Sequence, residues 1–420
     1  MSAPMLRRVV ITGLGLVSPQ GNTPTEFFSN LLAGKSGISR IKSDFVDDLE
    51  TKIAAQADFD GTQYFTKQQL ALLDRVSQFA LYCAEQAVSD ANLVLSEAEL
   101  SRVGCYIGTG MGGASATEDG YDRLFKQQAN RLKPFTVLMA MNGAPASQIA
   151  MQYKLNGPNI TFTTACSSSA IAIGEAVRQI QHGYCDVMFA GGTEALLTFG
   201  TIKAWEALRT LAKEDEIDLA NSCKPFSANR SGLVLGEGAA MFILEELSHA
   251  ETRGAKIYAE ISGYGTTNDG AHITQPSVEG QARAMQAALD NAHLSANQIG
   301  YINAHGTGTK LNDATETAAI KQVFGEHANQ LAISSTKSMH GHLMGAAGAV
   351  ELVATTLALV SNQLPPTINL NELDPLCDLD YVPNQFKNMD NLQHAMSNSF
   401  AFGGTSGVLI LSKMNNERTL

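Results

Sequence analysis

The stretch ITFTTACSSSAIAIG, residues 160–174, changes character at a single residue. Ile160 to Thr164 is apolar and β-branched, as a buried strand is. Ala165 to Gly174 is a small-residue run that reads as the first turns of a helix continuing to Gln181 and stopped by His182-Gly183. Cys166 stands at the junction. A thiol there faces unpaired backbone N–H groups and the positive end of the helix dipole, both of which favour the thiolate. Ala165 and Ser167 to Ser169 are small enough to let a substrate reach the sulfur, which separates Cys166 from an inert core cysteine.

Working outward, two further stretches place reactive groups in the same way. His305 opens HGTGT after the strand-like Gly300 to Ala304, and residues 337–348 read KSMHGHLMGAAG. Cys166, His305, Lys337 and His342 therefore all fall at C-terminal ends of expected strands, where α/β folds build their sites. The chain also reads as two degenerate copies of one unit. CYIGTGMGG (105–113) is answered by YINAHGTGT (301–309), the Cys166 strand–helix by that at Lys337, and AAMFILEEL (239–247) by GVLILSKM (407–414), in the same order. An internally duplicated α/β fold is expected, with halves 1–253 and 254–420 and the site between them. Within it, Lys67 to Ala91 reads as one helix, and the uncharged run Pro134 to Tyr153 as a core-lining or interface segment.

Composition bounds the partners. The 420 residues are 44% hydrophobic and 17% charged, a globular composition, with 29 Lys plus Arg against 41 Asp plus Glu. A net charge of −12 without a basic cluster argues against nucleic acid. The six cysteines (83, 105, 166, 185, 223, 377) contain no Cys-x-x-Cys pair, which fits a reducing, cytoplasmic setting. Asn142, Pro145, Ser147, Gln148 and Gln152 make Pro134–Tyr153 a poor membrane span. GLGLVS at 13–18 follows a strand, but Ser18 holds the third glycine position of a dinucleotide fingerprint and no ribose-binding acid follows, so it reads as a tight strand-to-turn passage. His340 and His342 read as a turn pair. A metal on Cys166, His305 and the turn histidines is disfavoured, because no carboxylate stands at ligand spacing and Lys337 would repel a cation. Gly403-Gly404 reads as a turn whose backbone approaches a ligand.

These residues resemble the β-ketoacyl-acyl carrier protein synthases of the thiolase-like condensing enzymes, most closely the elongating type II group. The likeness covers nearly the whole chain: VVITGLGLVSP (9–19), TACSSS (164–169), GGTEA (191–195), GLVLGEGAA (232–240), NAHGTGT (303–309), STKSMHGHLMGAAGAVE (335–351) and NSFAFGGTSG (398–407). It implies a five-layered α-β-α-β-α core and a decarboxylative Claisen condensation without a cofactor. Cys166 would carry the acyl chain, His305 and His342 would stabilise the enolate, and Lys337 would set the electrostatics of His305 through a network with Asp313 and Glu316. Phe402 would gate the site and share an oxyanion hole with Cys166.

The resemblance further implies substrate contacts at Met111, Ile202, Thr307, Thr309, Phe400, Gly403 and Gly404. It implies a structural monovalent cation at Asn303, Glu351, Ser397 and Asn398. Acyl- and malonyl-loaded carrier protein is the implied partner, met by a homodimer or a heterodimer with a related subunit. Initiating synthases carry asparagine where His342 stands, and thiolases use a second cysteine. The alternative reading is a non-catalytic chain-length-factor partner, against which the intact Cys166, His305, His342 and Lys337 weigh. Two departures stand out. KQQLALLD (67–74) keeps one basic residue where such enzymes present several to the carrier, so docking falls to Lys67, Arg75, Arg209 and Lys213. TACSSS looks more like polyketide-type ketosynthases.

Overall fold

The computed structural model describes residues 6–414. Its first half contributes β1 (Val9–Val17), α1 (Arg75–Asp90), β2 (Val103–Gly108), α2 (Ala144–Tyr153), β3 (Asn159–Phe162), α3 (Ser168–Gln181), β4 (Val187–Glu194) and β5 (Gly238–Glu246). The second contributes β6 (Ala259–Asn268), α4 (Val278–Ala292), β7 (Tyr301–Asn303), α5 (Lys310–Phe324), β8 (Ala332–Ser334), α6 (Ala347–Ser361), β9 (His394–Phe400) and β10 (Thr405–Ser412).

The strand order is β8-β7-β9-β10-β6-β1-β5-β4-β2-β3. Counted within its own half, each five-strand set runs 3-2-4-5-1, with strands 2, 3 and 4 parallel and strand 5 antiparallel to both neighbours. Within the large sheet the halves pair through Val10–Ile11 against Ala259–Glu260. Helices α3 and α6 occupy equivalent places, each before the fourth strand of its half, and each packs on strands of both halves. With α1 and α2 outside one half and α4 and α5 outside the other, the layers are α-β-α-β-α. The duplicated thiolase-like architecture is therefore present.

Helix α6 shows why the centre is apolar on every side. Residues Met344–Ser361 are long and apolar enough to cross a membrane, with mean hydropathy 1.6, yet 83% of that stretch is buried inside the protein. Two half-sheets face it, so no polar face is required. The glycines of the first strands have an equally physical origin. A Cβ on Gly13 would stand 2.1 Å from the Ala87 oxygen, and one on Gly15 1.9 Å from the Cys83 oxygen. In the second half Gly263 and Gly265 meet Ala288 and Ala284 oxygens of α4 at 2.5 and 2.2 Å. The G-x-G pair is a seat for a helix in both copies, and this accounts for the motif without a nucleotide.

Two expectations are corrected. Residues 67–91 form two helices, Lys67–Leu70 and α1, because Asp74 caps α1 by accepting the Val76 N–H at 3.0 Å and also holds the Ala116 N–H at 2.7 Å. Of the run 134–153, only α2 lines the core, through the buried Ala146 and Ile149. The run makes helices Thr136–Ala140 and α2, and Phe135, Val137, Leu138, Met141 and Met151 are exposed beside the edge strand β3. Helices Ala114–Tyr121 and Phe199–Leu208 have too short or too mixed an apolar stripe to stand out in the sequence.

Candidate active site

Cys166 lies where β3 turns into α3. Ala165 takes φ +50°, a left-handed conformation that costs an L-residue about 1 kcal/mol, and the chain reverses there into a short 3-10 turn, Ala165–Ser167. Ser168 braces the reversal: its hydroxyl donates to the Ala165 oxygen at 2.6 Å and accepts the Thr164 N–H at 2.9 Å. Ser169 accepts the Ala349 N–H at 2.9 Å, tying α3 to α6 of the other half. The thiol itself is buried. Burial pushes it up to about 12, against the pull of the Lys337 charge and the Phe402 backbone N–H. Burial thus opposes the thiolate that the helix terminus favours.

The Cys166 sulfur and one ring nitrogen from each of His305 and His342 all lie within 4.8 Å of one another. Their neighbours fix which nitrogen carries the proton. His342 Nδ1 accepts the Met344 backbone N–H at 3.0 Å, so the proton of the neutral ring sits on Nε2, which is buried without a partner. Lys337 Nζ lies 3.4 Å from His305 Nδ1, which makes that nitrogen the acceptor and leaves the proton on Nε2. Both rings stay neutral, because burial first and the Lys337 charge second hold them well below the ordinary histidine range. Two Nε2–H groups form a donor pair, and a ring that donates there cannot ligate a metal there. This is the physical reason the three-residue cluster is a poor metal site.

Lys337 is fully buried, and its ammonium contacts Glu351 and donates to the His305 carbonyl at 2.6 Å. The expected network is therefore corrected. Glu351, not Asp313 or Glu316, is the counter-ion of Lys337. Asp313 accepts the Phe226 N–H at 2.8 Å and the Gly308 N–H at 3.3 Å, while Glu316 accepts those of His305 and Gly306, both at 2.8 Å. These two acids hold the backbone of the 305–308 loop. Arg230, unforeseen, holds its far end by donating to the Thr309 and Lys310 carbonyls at 3.2 and 3.0 Å.

A cavity of about 270 Å3 opens over Cys166, His305 and His342, walled by Thr307, Thr309, Phe400, Phe402 and Gly404. Gly403 is exposed and outside the wall, and its N–H donates to the oxygen of Ile273, which lines the cavity, at 2.8 Å. Ile202 is buried in an apolar cluster with Cys166, Met344 and Leu196. Met111 is 47% exposed and not at the cavity. Phe402 stacks on Trp205, ring centroids 6.2 Å apart; as the chain's one tryptophan, Trp205 was the available signal for a site neighbour. Of the expected docking residues, Arg209 reaches the cavity mouth, joined there by Lys310. Arg75 does not serve, being committed to Glu237 at 2.7 Å and to the Ala57 and Phe59 carbonyls.

Beneath the site, Asn303 Oδ1 and Asn398 Oδ1 are buried without hydrogen-bond partners, and the Glu351 carboxylate has only the Lys337 contact. Ser397 pairs with Asn303 in the β9–β7 register. Clustered oxygen donors of this kind suit a hard cation.

Residues 6–250 match the family model described as beta-ketoacyl synthase, N-terminal domain, and residues 258–371 that of its C-terminal domain. The chain is 44% identical over 412 residues to 3-oxoacyl-[acyl-carrier-protein] synthase 2 of Coxiella burnetii, covering 97% of this chain and 99% of that one. It is 43% identical to nodulation protein E of Rhizobium meliloti, covering 98% and 100%. Among solved structures, a type II polyketide ketosynthase in complex with its acyl-carrier protein and the ishigamide ketosynthase/chain length factor each align with TM-score 0.89 at 34% identity, over 98% of this chain and 100% of theirs.

Proposed function

The chain belongs to the β-ketoacyl synthase family and is a condensing enzyme of the acyltransferase class, and from that premise we propose that it extends an acyl chain held on Cys166 by two carbons taken from malonyl-acyl carrier protein. The observation that carries this reading is the pair of Nε2–H donors aimed at the space over the Cys166 sulfur.

The residues divide the work as follows. The acyl thioester enters through the mouth between Arg209 and Lys310; the Cys166 sulfur bonds to the acyl carbon as the carbon–sulfur bond to the carrier breaks, and the Cys166 proton passes to the carrier sulfur, which leaves as its thiol. The Phe402 and Cys166 backbone N–H groups receive the tetrahedral oxyanion. Malonyl thioester then replaces the first carrier. Its carboxylate leaves as CO2, the electron pair of the broken C–C bond becomes an enolate, and the His305 and His342 donors stabilise the enolate oxygen as charge develops. The enolate carbon attacks the Cys166 acyl carbonyl, and the thiolate leaves. Neutral, pre-oriented donors suit this step, since they need no proton transfer at pH 7.

Asn303, Glu351, Ser397 and Asn398 would hold a monovalent cation, with the Glu351 carboxylate shared between that cation and Lys337. The exposed Val137, Leu138, Met141 and Ile160 flank the unpaired edge of β3, so a second subunit, the same chain or a related one, covers this face. Arg209, Lys213 and Lys310 form the local basic patch for an acidic carrier. Fatty-acid elongation is the favoured pathway, given the synthase 2 relatives, and a polyketide or polyene pathway is the variant that TACSSS supports. A cytoplasmic location accords with six unpaired cysteines.

Intact mass of the protein after incubation with acyl-carrier proteins, then with malonyl-carrier protein, tests the reading. An adduct absent from Cys166→Ala, followed by release of a product two carbons longer, is expected. No adduct with any donor would leave the chain-length-factor reading in its place.

A further inference from the structure

Glu194 ends β4, is fully buried, and touches neither the cavity wall nor a cation. Its carboxylate accepts three backbone N–H groups: Gly110 at 2.7 Å, Met111 at 3.0 Å and Gly345 at 2.8 Å. The first two belong to the loop after β2 in the first half. The third lies three residues after His342, in the turn that opens α6 of the second half. The approach is close on all sides, since a Cβ on Gly345 would stand 2.3 Å from the Gly110 nitrogen and 2.7 Å from Glu194 Oε2. Met344, between His342 and Gly345, donates to His342 Nδ1 and packs in the Cys166 cluster.

We propose that Glu194 is a positioning residue that clamps the Gly110–Met111 loop of the first half to the His342–Gly345 turn of the second, so that one carboxylate fixes the orientation of the His342 donor. The proposal rests on the condensing reading. A carboxylate offers acceptors only, and that is what three converging N–H groups require. An amide in its place would turn one acceptor into a donor facing a donor. The Cys166 turn has its own brace in the Ser168 hydroxyl, which bonds within the turn and not to Glu194, so the clamp bears more on condensation than on acyl loading.

Glu194→Gln and Glu194→Asp are compared with wild type for Cys166 acylation by intact mass and for malonyl decarboxylation. Acylation within about 3-fold of wild type and decarboxylation at least about 10-fold slower are expected. A proportional fall in both steps, or no fall in either, overturns the clamp while acylated wild type still upholds the condensing activity. If neither variant folds, amide hydrogen exchange in wild type decides: Gly110, Met111 and Gly345 opening with one common rate supports the clamp, and independent rates overturn it.

Discussion

His342 Nδ1 accepts the backbone N–H of Met344 at 3.0 Å, and this one bond turns the imidazole into a donor at Nε2. A catalytic role then needs the N–H and not the basicity of the ring. His342→Ala should slow malonyl decarboxylation by about 10²- to 10³-fold while Cys166 acylation stays within a few-fold. His342→Gln, which keeps an N–H, should recover part of the loss. Equal loss in both variants would assign the ring another role.

Lys337 and Glu351 form a buried ion pair, and breaking one side strands the other. Lys337→Met should destabilise the protein by about 3–5 kcal/mol. The double variant Lys337→Met, Glu351→Gln should recover most of that stability without activity. Urea unfolding of the three proteins measures both.

Three histidines sit neutral in the core, and their titration sets the acid response. His340, which meets the Gly341 oxygen at 2.8 Å and Thr336 Oγ1 at 2.9 Å, is lowered from 6.5 to about 3 by burial, then by Lys337. Below pH 6.5 the unfolded chain takes up a proton that the folded one refuses, so stability falls with pH. Glu194 and Glu351, raised by burial to about 7, act in the opposite sense between pH 7 and 4.5. Removing one histidine therefore tips the balance. His340→Gln should flatten the loss by about 1.4 kcal/mol per pH unit below pH 6.5, read from urea midpoints across pH 5–7.5.

Val137 and Leu138 are 69% and 54% exposed on the face beside β3. Leu138→Asp should convert an assembled protein to a monomer in size-exclusion chromatography with light scattering. An unchanged mass would place the subunit contact elsewhere.

Much of this was legible in residues alone. Strand-then-glycine punctuation marked Cys166, His305, Lys337 and His342, and the repeated order of motifs gave the duplicated fold. The side-chain network was not legible in the same way. The family resemblance implied Asp313 and Glu316 as the network of Lys337, but both acids of α5 are spent on backbone N–H groups, Glu316 on those of His305 and Gly306 and Asp313 on those of Gly308 and Phe226. Glu351 reaches Lys337 because α6 starts ten residues after Lys337 and runs back under it.

By itself the sequence determined most of the element types, the duplication and which four side chains, Cys166, His305, Lys337 and His342, belong together, because periodicity, glycines and helix starts are local properties of a chain. Only the tertiary structure decided the burial of Cys166, the donor nitrogen of each histidine, the counter-ion of Lys337 and the exposure of residues 135–141. Each of these depends on burial or on which groups folding sets side by side, and a one-dimensional pattern carries neither.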